Sequence, residues 1–169
     1  MLTEGYDDAE MADVPGADGQ AASDTAKTYV TFDLSSQTFG VEVAYVREIL
    51  DRIEIARLPS ATHGVEGVID VRDQSIPIVD IGSRLGFGHM ETGSETRIIV
   101  FEVIRNGVAE PVGILADRVR DVTQISYSEI ENPPEAVGTV ENGGFLSGLA
   151  RHQGALIALL DIGVILDVS

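Results

Sequence analysis

A chain of 169 residues with 44% apolar side chains has the makeup of a folded domain, or of two small lobes sharing a core. Its 28 acidic residues against 11 basic ones give a net charge of −17, which argues against nucleic acid or an anionic membrane surface as a partner and in favour of a neutral or basic protein. With no cysteine, disulfides, thiolate metal sites and a cysteine nucleophile are excluded; with no signal-peptide pattern and no long apolar run, neither export nor a membrane span is predicted, and a cytoplasmic protein is expected.

In chain order, the first 26 residues carry seven acids (Glu4, Asp7, Asp8, Glu10, Asp13, Asp18, Asp24) and no base. They hold too little apolar surface to offset the entropy of ordering, so residues 1–27 are expected to form a disordered acidic tail. TYVTFDL (28–34) then alternates Val30, Phe32 and Leu34 with Tyr29, Thr31 and Asp33, the period of a strand. Ser35-Ser36-Gln37 connects it to TFGVEV, where Phe39, Val41 and Val43 alternate again, so the pair predicts a hairpin. AYVREIL (44–50) places Val46, Ile49 and Leu50 at helical spacing and predicts a short helix, and Pro59 closes that region. In GVIDVRDQSIPIVDIG (67–82) two apolar runs flank a charged triplet, with Arg72 between Val71 and Asp73 and a second acid at Asp70. RIIVFEVI (97–104), apolar on nearly both faces, predicts a central strand.

The chain repeats itself. FGVEVAYVREI (39–49) aligns without gaps on VGILADRVRDV (112–122), matching Gly40 with Gly113, Val46 with Val119, Arg47 with Arg120 and Glu48 with Asp121. Likewise 67–82 aligns on GLARHQGALIALLDIG (148–163), ending on the same Asp-Ile-Gly and placing Arg72 opposite Gln153. Each copy is near the size at which a lone core is marginal, so the two are expected to pack together. The architecture expected is all-β: a first small barrel mainly of residues 28–82, a linker over 83–96, and a second barrel mainly of 97–163. Residues 126–144 (SYSEIENPPEAVGTVENGG) read as one long irregular excursion.

Chemistry is sparse. His63, His89 and His152 fall in no metal-ligand spacing, the acidic tail lacks the spacing of a calcium loop, and GFGHMETG does not fit a dinucleotide fingerprint, so no metal and no cofactor is expected. A hydrolase built on His152 with a serine or carboxylate, lidded by 126–144, is the enzymatic alternative. Asp80 and Asp161 are expected to be N-caps that turn a strand into a short helical segment.

YVTFDLSSQTFGVEVAYVREIL, GVIDVRDQSIPIVDI, PVGILADRVRDV and FLSGLARHQGALIALLDI resemble, in order and across nearly the whole chain from residue 28, the CheW-like chemotaxis coupling proteins. The resemblance implies two packed SH3-like five-stranded barrels and a scaffold without enzymatic activity. It implies coupling of chemoreceptor cytoplasmic tips to the regulatory domain of a CheA-type histidine kinase, and recruitment to membrane-associated receptor arrays without insertion into the membrane. A stand-alone regulatory module that binds only another CheW-like domain is an alternative.

Carried over by position, Arg72, Asp73 and Glu48 are candidate kinase-binding residues, and Val46, Ile49, Val119 and Val122 candidate lining of a receptor-binding groove, although the valines also suit a barrel core. Where the family commonly has Asn-Leu-Arg-Gly this chain has Asp70-Val71-Arg72-Asp73, and Arg97 and Arg118 add charge at positions where such residues are unusual. Asp70 and Asp73 are expected to hold the Arg72 guanidinium or to tune it to a partner.

Overall fold

The computed structural model of the chain describes residues 25–51, 54–57, 64–88, 91–134 and 144–166. Eleven strands and two one-turn helices make up this part: β1 (Ala26–Leu34), β2 (Gln37–Glu42), β3 (Val46–Asp51), β4 (Val65–Val71), β5 (Gln74–Val79), α1 (Ile81–Arg84), β6 (Arg97–Arg105), β7 (Val108–Ala116), β8 (Arg118–Ser126), β9 (Ile130–Glu131), β10 (Leu146–His152), β11 (Ala155–Leu160) and α2 (Ile162–Ile165). Both helices are capped as expected: Asp80 accepts from the Ser83 amide and Asp161 from the Val164 amide.

The strands form two sheets, ordered β8-β1-β2-β11-β10-β9 and β3-β6-β7-β5-β4. Each sheet draws on both sequence copies. The first combines the β1–β2 hairpin with β8 to β11, and the second combines β3 to β5 with the β6–β7 hairpin. The expected division into a barrel of 28–82 and a barrel of 97–163 is therefore corrected: the copies exchange hairpins. The exchange is reciprocal, since replacing every strand of one sheet by its repeat partner gives the order of the other, with β9 as the only addition. The physical reason lies in two parallel junctions, β2 with β11 and β5 with β7, that pair Gly40 with Leu159 and Ile78 with Gly113. A Cβ on Gly40 would lie 2.9 Å from Leu159 Cδ2, and one on Gly113 2.7 Å from Ile78 Cδ1, so the matched glycines are what let the exchanged strands approach.

The main core runs between the sheets and holds Phe32, Leu34, Ile69, Ile78 and all four of Ile98 to Phe101, which fits the expected central strand. A smaller cluster of Tyr29, Ile125, Ala150, Ile157 and Leu159 fills the first sheet's own barrel. This is why both faces of β1 are buried around Val30 although the sequence alternates. Four tight hairpins use turn residues with positive φ, Ser35-Ser36, Arg72-Asp73, Asn106-Gly107 and Gln153-Gly154, the pattern of primed turns that match strand twist.

Three further expectations are corrected. Residues 44–50 form a 3₁₀ turn (Val43–Tyr45) followed by β3, not a helix. Val46, Glu48 and Leu50 turn inward and Arg47, Ile49 and Asp51 outward, because pairing with the apolar strand β6 overrides the weak helical stripe. The folded domain begins earlier than position 28: Ala26 and Lys27 pair with Ser126 and Ile125, while the rest of the expected tail, to Asp24, lies outside the described residues. The start of the 126–144 excursion is ordered by a capping box in which Ser126 and Glu129 bond reciprocally, and by β9 pairing on β10. His63, His89 and Pro59 lie outside the described residues.

Candidate partner-binding surfaces

Glu48 sits on β3 and Arg72 on the β4–β5 turn, at opposite edges of the second sheet, yet the Arg72 guanidinium donates to the Glu48 carboxylate. Their meeting shows that the sheet curls until its edges approach, as in an SH3-like barrel. Beside them the Arg47 guanidinium donates to Gln74 Oε1 at 3.5 Å. The Arg72 side chain remains 67% exposed while that of Glu48 is 22% exposed. Such a pair contributes little to stability but fixes where a cation is presented. Asp70 and Asp73 are exposed and neither is paired with Arg72, so the expectation that they hold the guanidinium is corrected in favour of Glu48.

The four candidate groove residues occupy two equivalent places. Val46 and Ile49 lie on β3, the edge of the second sheet, and Val119 and Val122 on β8, the edge of the first. Val46 and Val119 pack against the main core, whereas Ile49 and Val122 are 40% and 57% exposed. Each pair thus has one packing member and one member free for a partner.

None of the four lines the open depression of about 300 Å³ between the two sheets. That depression is formed by Tyr45, Val103, Ile104, Leu160 and Ile162, with Glu42, Glu102 and Asp161 among the remaining lining residues. Glu102, Val103 and Ile104 of β6 line one side of it; the β6–β7 hairpin outreaches its repeat partner by two residues on each arm (Thr31 to Leu34 against Val100 to Arg105, counted from the matched glycines). Ile104 at 68% and Val108 at 57% exposure stand on this overhang. Sequence reading missed them because the gapless repeat ends before the turn; the unequal spacing from Gly40 and Gly113 to their turns was the available signal.

A second depression, about 450 Å³, lies on the first sheet's barrel and contains Arg118, Arg120, Thr123 and His152. His152 Nδ1 lies 2.9 Å from Glu129 Oε2 and its Nε2 3.1 Å from Thr123 Oγ1. The Ser126 amide and then His152 hold the Glu129 carboxyl below the usual glutamate range. The equivalent places in the other barrel are Leu50 and Val71, both packed on the core, so the histidine network occupies a barrel-closing position. Arg120 Nε donates to Asp33 Oδ1 at 2.7 Å, which raises the guanidinium's pKa further. Among the described residues no cluster of histidine and acidic side chains is placed to hold a metal, and no helix is long and apolar enough to cross a membrane.

Two interlocked SH3-like barrels carry an exposed arginine on a hairpin turn and an apolar depression between the sheets. Residues 28–169 match the CheW-like domain family, and the chain belongs to it. It is similar to the chemotaxis protein CheW of Rhizobium meliloti, 32% identical over 133 residues that span 79% of this chain and 83% of that protein. The CheW protein of Treponema pallidum is 26% identical over 84% of this chain and 83% of its own length. Among solved structures, the scaffolding protein TtCheW from Thermoanaerobacter tengcongensis superposes with a TM-score of 0.71 at 28% identity, covering 85% of this chain and 89% of that one. The chain accordingly belongs to a family whose named members are chemotaxis scaffold proteins, not enzymes.

Proposed function

We propose that this protein couples chemoreceptor cytoplasmic tips to the regulatory domain of a CheA-type histidine kinase, working in the cytoplasm on membrane-associated arrays. Arg72, Asp73 and Glu48 form the kinase-facing site, and Ile49 and Val122, with Val46 and Val119 behind them, flank the receptor-binding face that includes the depression between the sheets. The observation that carries the reading is Arg72 itself. It stands largely exposed on a turn whose repeat partner, Gln153-Gly154, also has positive φ at both residues and carries no charge, so the fold does not require an arginine there. Arginine, with tryptophan and tyrosine, is among the residue types enriched in the few energetic anchors of an interface.

Replacing Arg72 by glutamate is expected to weaken capture of a CheA-type regulatory domain by about 2 kcal/mol or more while leaving the circular dichroism spectrum and thermal midpoint nearly unchanged. Pull-down of the full chain against that domain and against a receptor-tip hairpin measures both halves of the proposal. Kinase capture insensitive to Arg72→Glu removes the site assignment. Capture of the kinase domain without the receptor tip would instead identify a regulatory module that binds only CheW-like partners.

A further inference from the structure

The folded body has no cation to spare. The first 26 residues account for seven of the 17 net negative charges, and ten remain on the rest of the chain. Among the described residues eight basic side chains pair with a carboxylate. The other two, Arg47 and Arg84, bond Gln74 and the Ile165 carbonyl. Six exposed carboxylates, Glu54, Asp70, Asp73, Glu91, Glu102 and Asp121, have no ion-pair partner among the described residues.

A docking face for one basic partner would gather these charges in one place. Instead Asp70 and Glu102 stand on β4 and β6 of the second sheet, Asp121 on β8 of the first, and Glu54 and Glu91 on connecting segments. Like charges also face one another: Glu42, Glu102 and Asp161 line the depression between the sheets, and no basic side chain lines it. The bases are ten arginines and one lysine, Lys27. A guanidinium is more weakly hydrated than an ammonium and holds a carboxylate in a fixed fork, so it suits direct contact pairs. Positive charge thus sits in contact pairs, and the surplus negative charge faces solvent.

A surplus of one sign raises the energy of the compact state, because folding brings the charges together. At ionic strength of about 0.1 M a charge is felt over about 10 Å, and at about 1 M over only about 3 Å, so separated carboxylates cease to repel while contact pairs persist. We propose that this fold is built for concentrated salt: molar monovalent salt is the medium in which the double barrel is stable, and dilution destabilises it through repulsion among its exposed carboxylates. The proposal stands on charge and geometry and does not depend on the coupling function above. In such a medium charge acts only at contact, so Arg72 serves as a direct bonding partner and not as a distant attractor.

The test follows thermal unfolding of the full chain by circular dichroism in about 0.1 M and about 2 M KCl, and in low salt with sucrose, which is excluded from protein surfaces but screens no charge. The midpoint is expected to rise by about 10 °C or more between the two salt concentrations, with sucrose giving less than about half of that rise. A variant carrying Glu54→Gln, Asp70→Asn, Glu91→Gln, Glu102→Gln and Asp121→Asn together is expected to melt above the unmodified chain in low salt and to lose about half or more of the KCl response. A midpoint that KCl leaves unmoved or lowers, a rise that sucrose reproduces in full, or a variant with an undiminished KCl response would overturn the proposal. So would a variant that stays unfolded in concentrated KCl, since the carboxylates would then be holding the fold together instead of opposing it.

Discussion

Asp73 occupies the second turn position of the β4–β5 hairpin at φ +65°, where its repeat partner is Gly154 at φ +81°. A side chain in the left-handed region costs conformational energy that glycine does not incur, although aspartate tolerates it better than most. Asp73→Gly is therefore expected to raise the urea midpoint by an amount equivalent to about 0.5 kcal/mol, part of the gain being offset by the freer unfolded chain. Asp73→Asn, which keeps the turn preference and removes the charge, separates strain from electrostatics; an unchanged midpoint in the glycine variant would show that the aspartate incurs no strain. The repeat alignment singled out Arg72 as a candidate for recognition, because a position that the fold does not constrain to be charged can be seen by comparing the copies. Its partner was not legible. Glu48 lies 24 residues away on another strand, and only barrel closure brings it to Arg72 in preference to the two adjacent aspartates.

At the scale of elements, the strands and caps were readable wherever a local rule decides: the period-two segments, the apolar β6 and the Asp80 and Asp161 caps. The segment 46–51 was misread because its stripe satisfies helical spacing, and its strand state is imposed by a neighbour far along the chain. Glycines mark several such long-range approaches. Gly67 sits where Ala56 bridges to Val68, and a Cβ there would lie 2.4 Å from the Ala56 carbonyl oxygen, a backbone atom with little room to yield. Gly67→Ala is expected to destabilise the fold by about 2 kcal/mol, against less than about 0.5 kcal/mol for Gly93→Ala, where a Cβ would meet nothing within 4 Å. Denaturant midpoints of the two variants check the contrast.

For the whole molecule, the repeat was legible and its partition was not, because sequence similarity reports what the copies share and says nothing about which copy supplies each strand's neighbour. The exchange makes the halves interdependent, and the guanidinium of Arg84 on α1 adds a bond to the Ile165 carbonyl at the end of α2. Peptides 25–90 and 91–169 are each expected to be unfolded alone by circular dichroism and to regain β-structure when mixed, since each lacks strands that complete both of its sheets. A half that folds by itself would contradict the interlocked core. The reciprocal hairpin exchange is also the arrangement of a strand-swapped homodimer whose two subunits have been joined end to end. In a true homodimer every residue change appears twice, once on each side of the axis. Fusion ends that bookkeeping, so one hairpin tip can acquire Arg72 and Asp73 while the other keeps Gln153 and Gly154, and a symmetric ancestor can become a scaffold with two different ends.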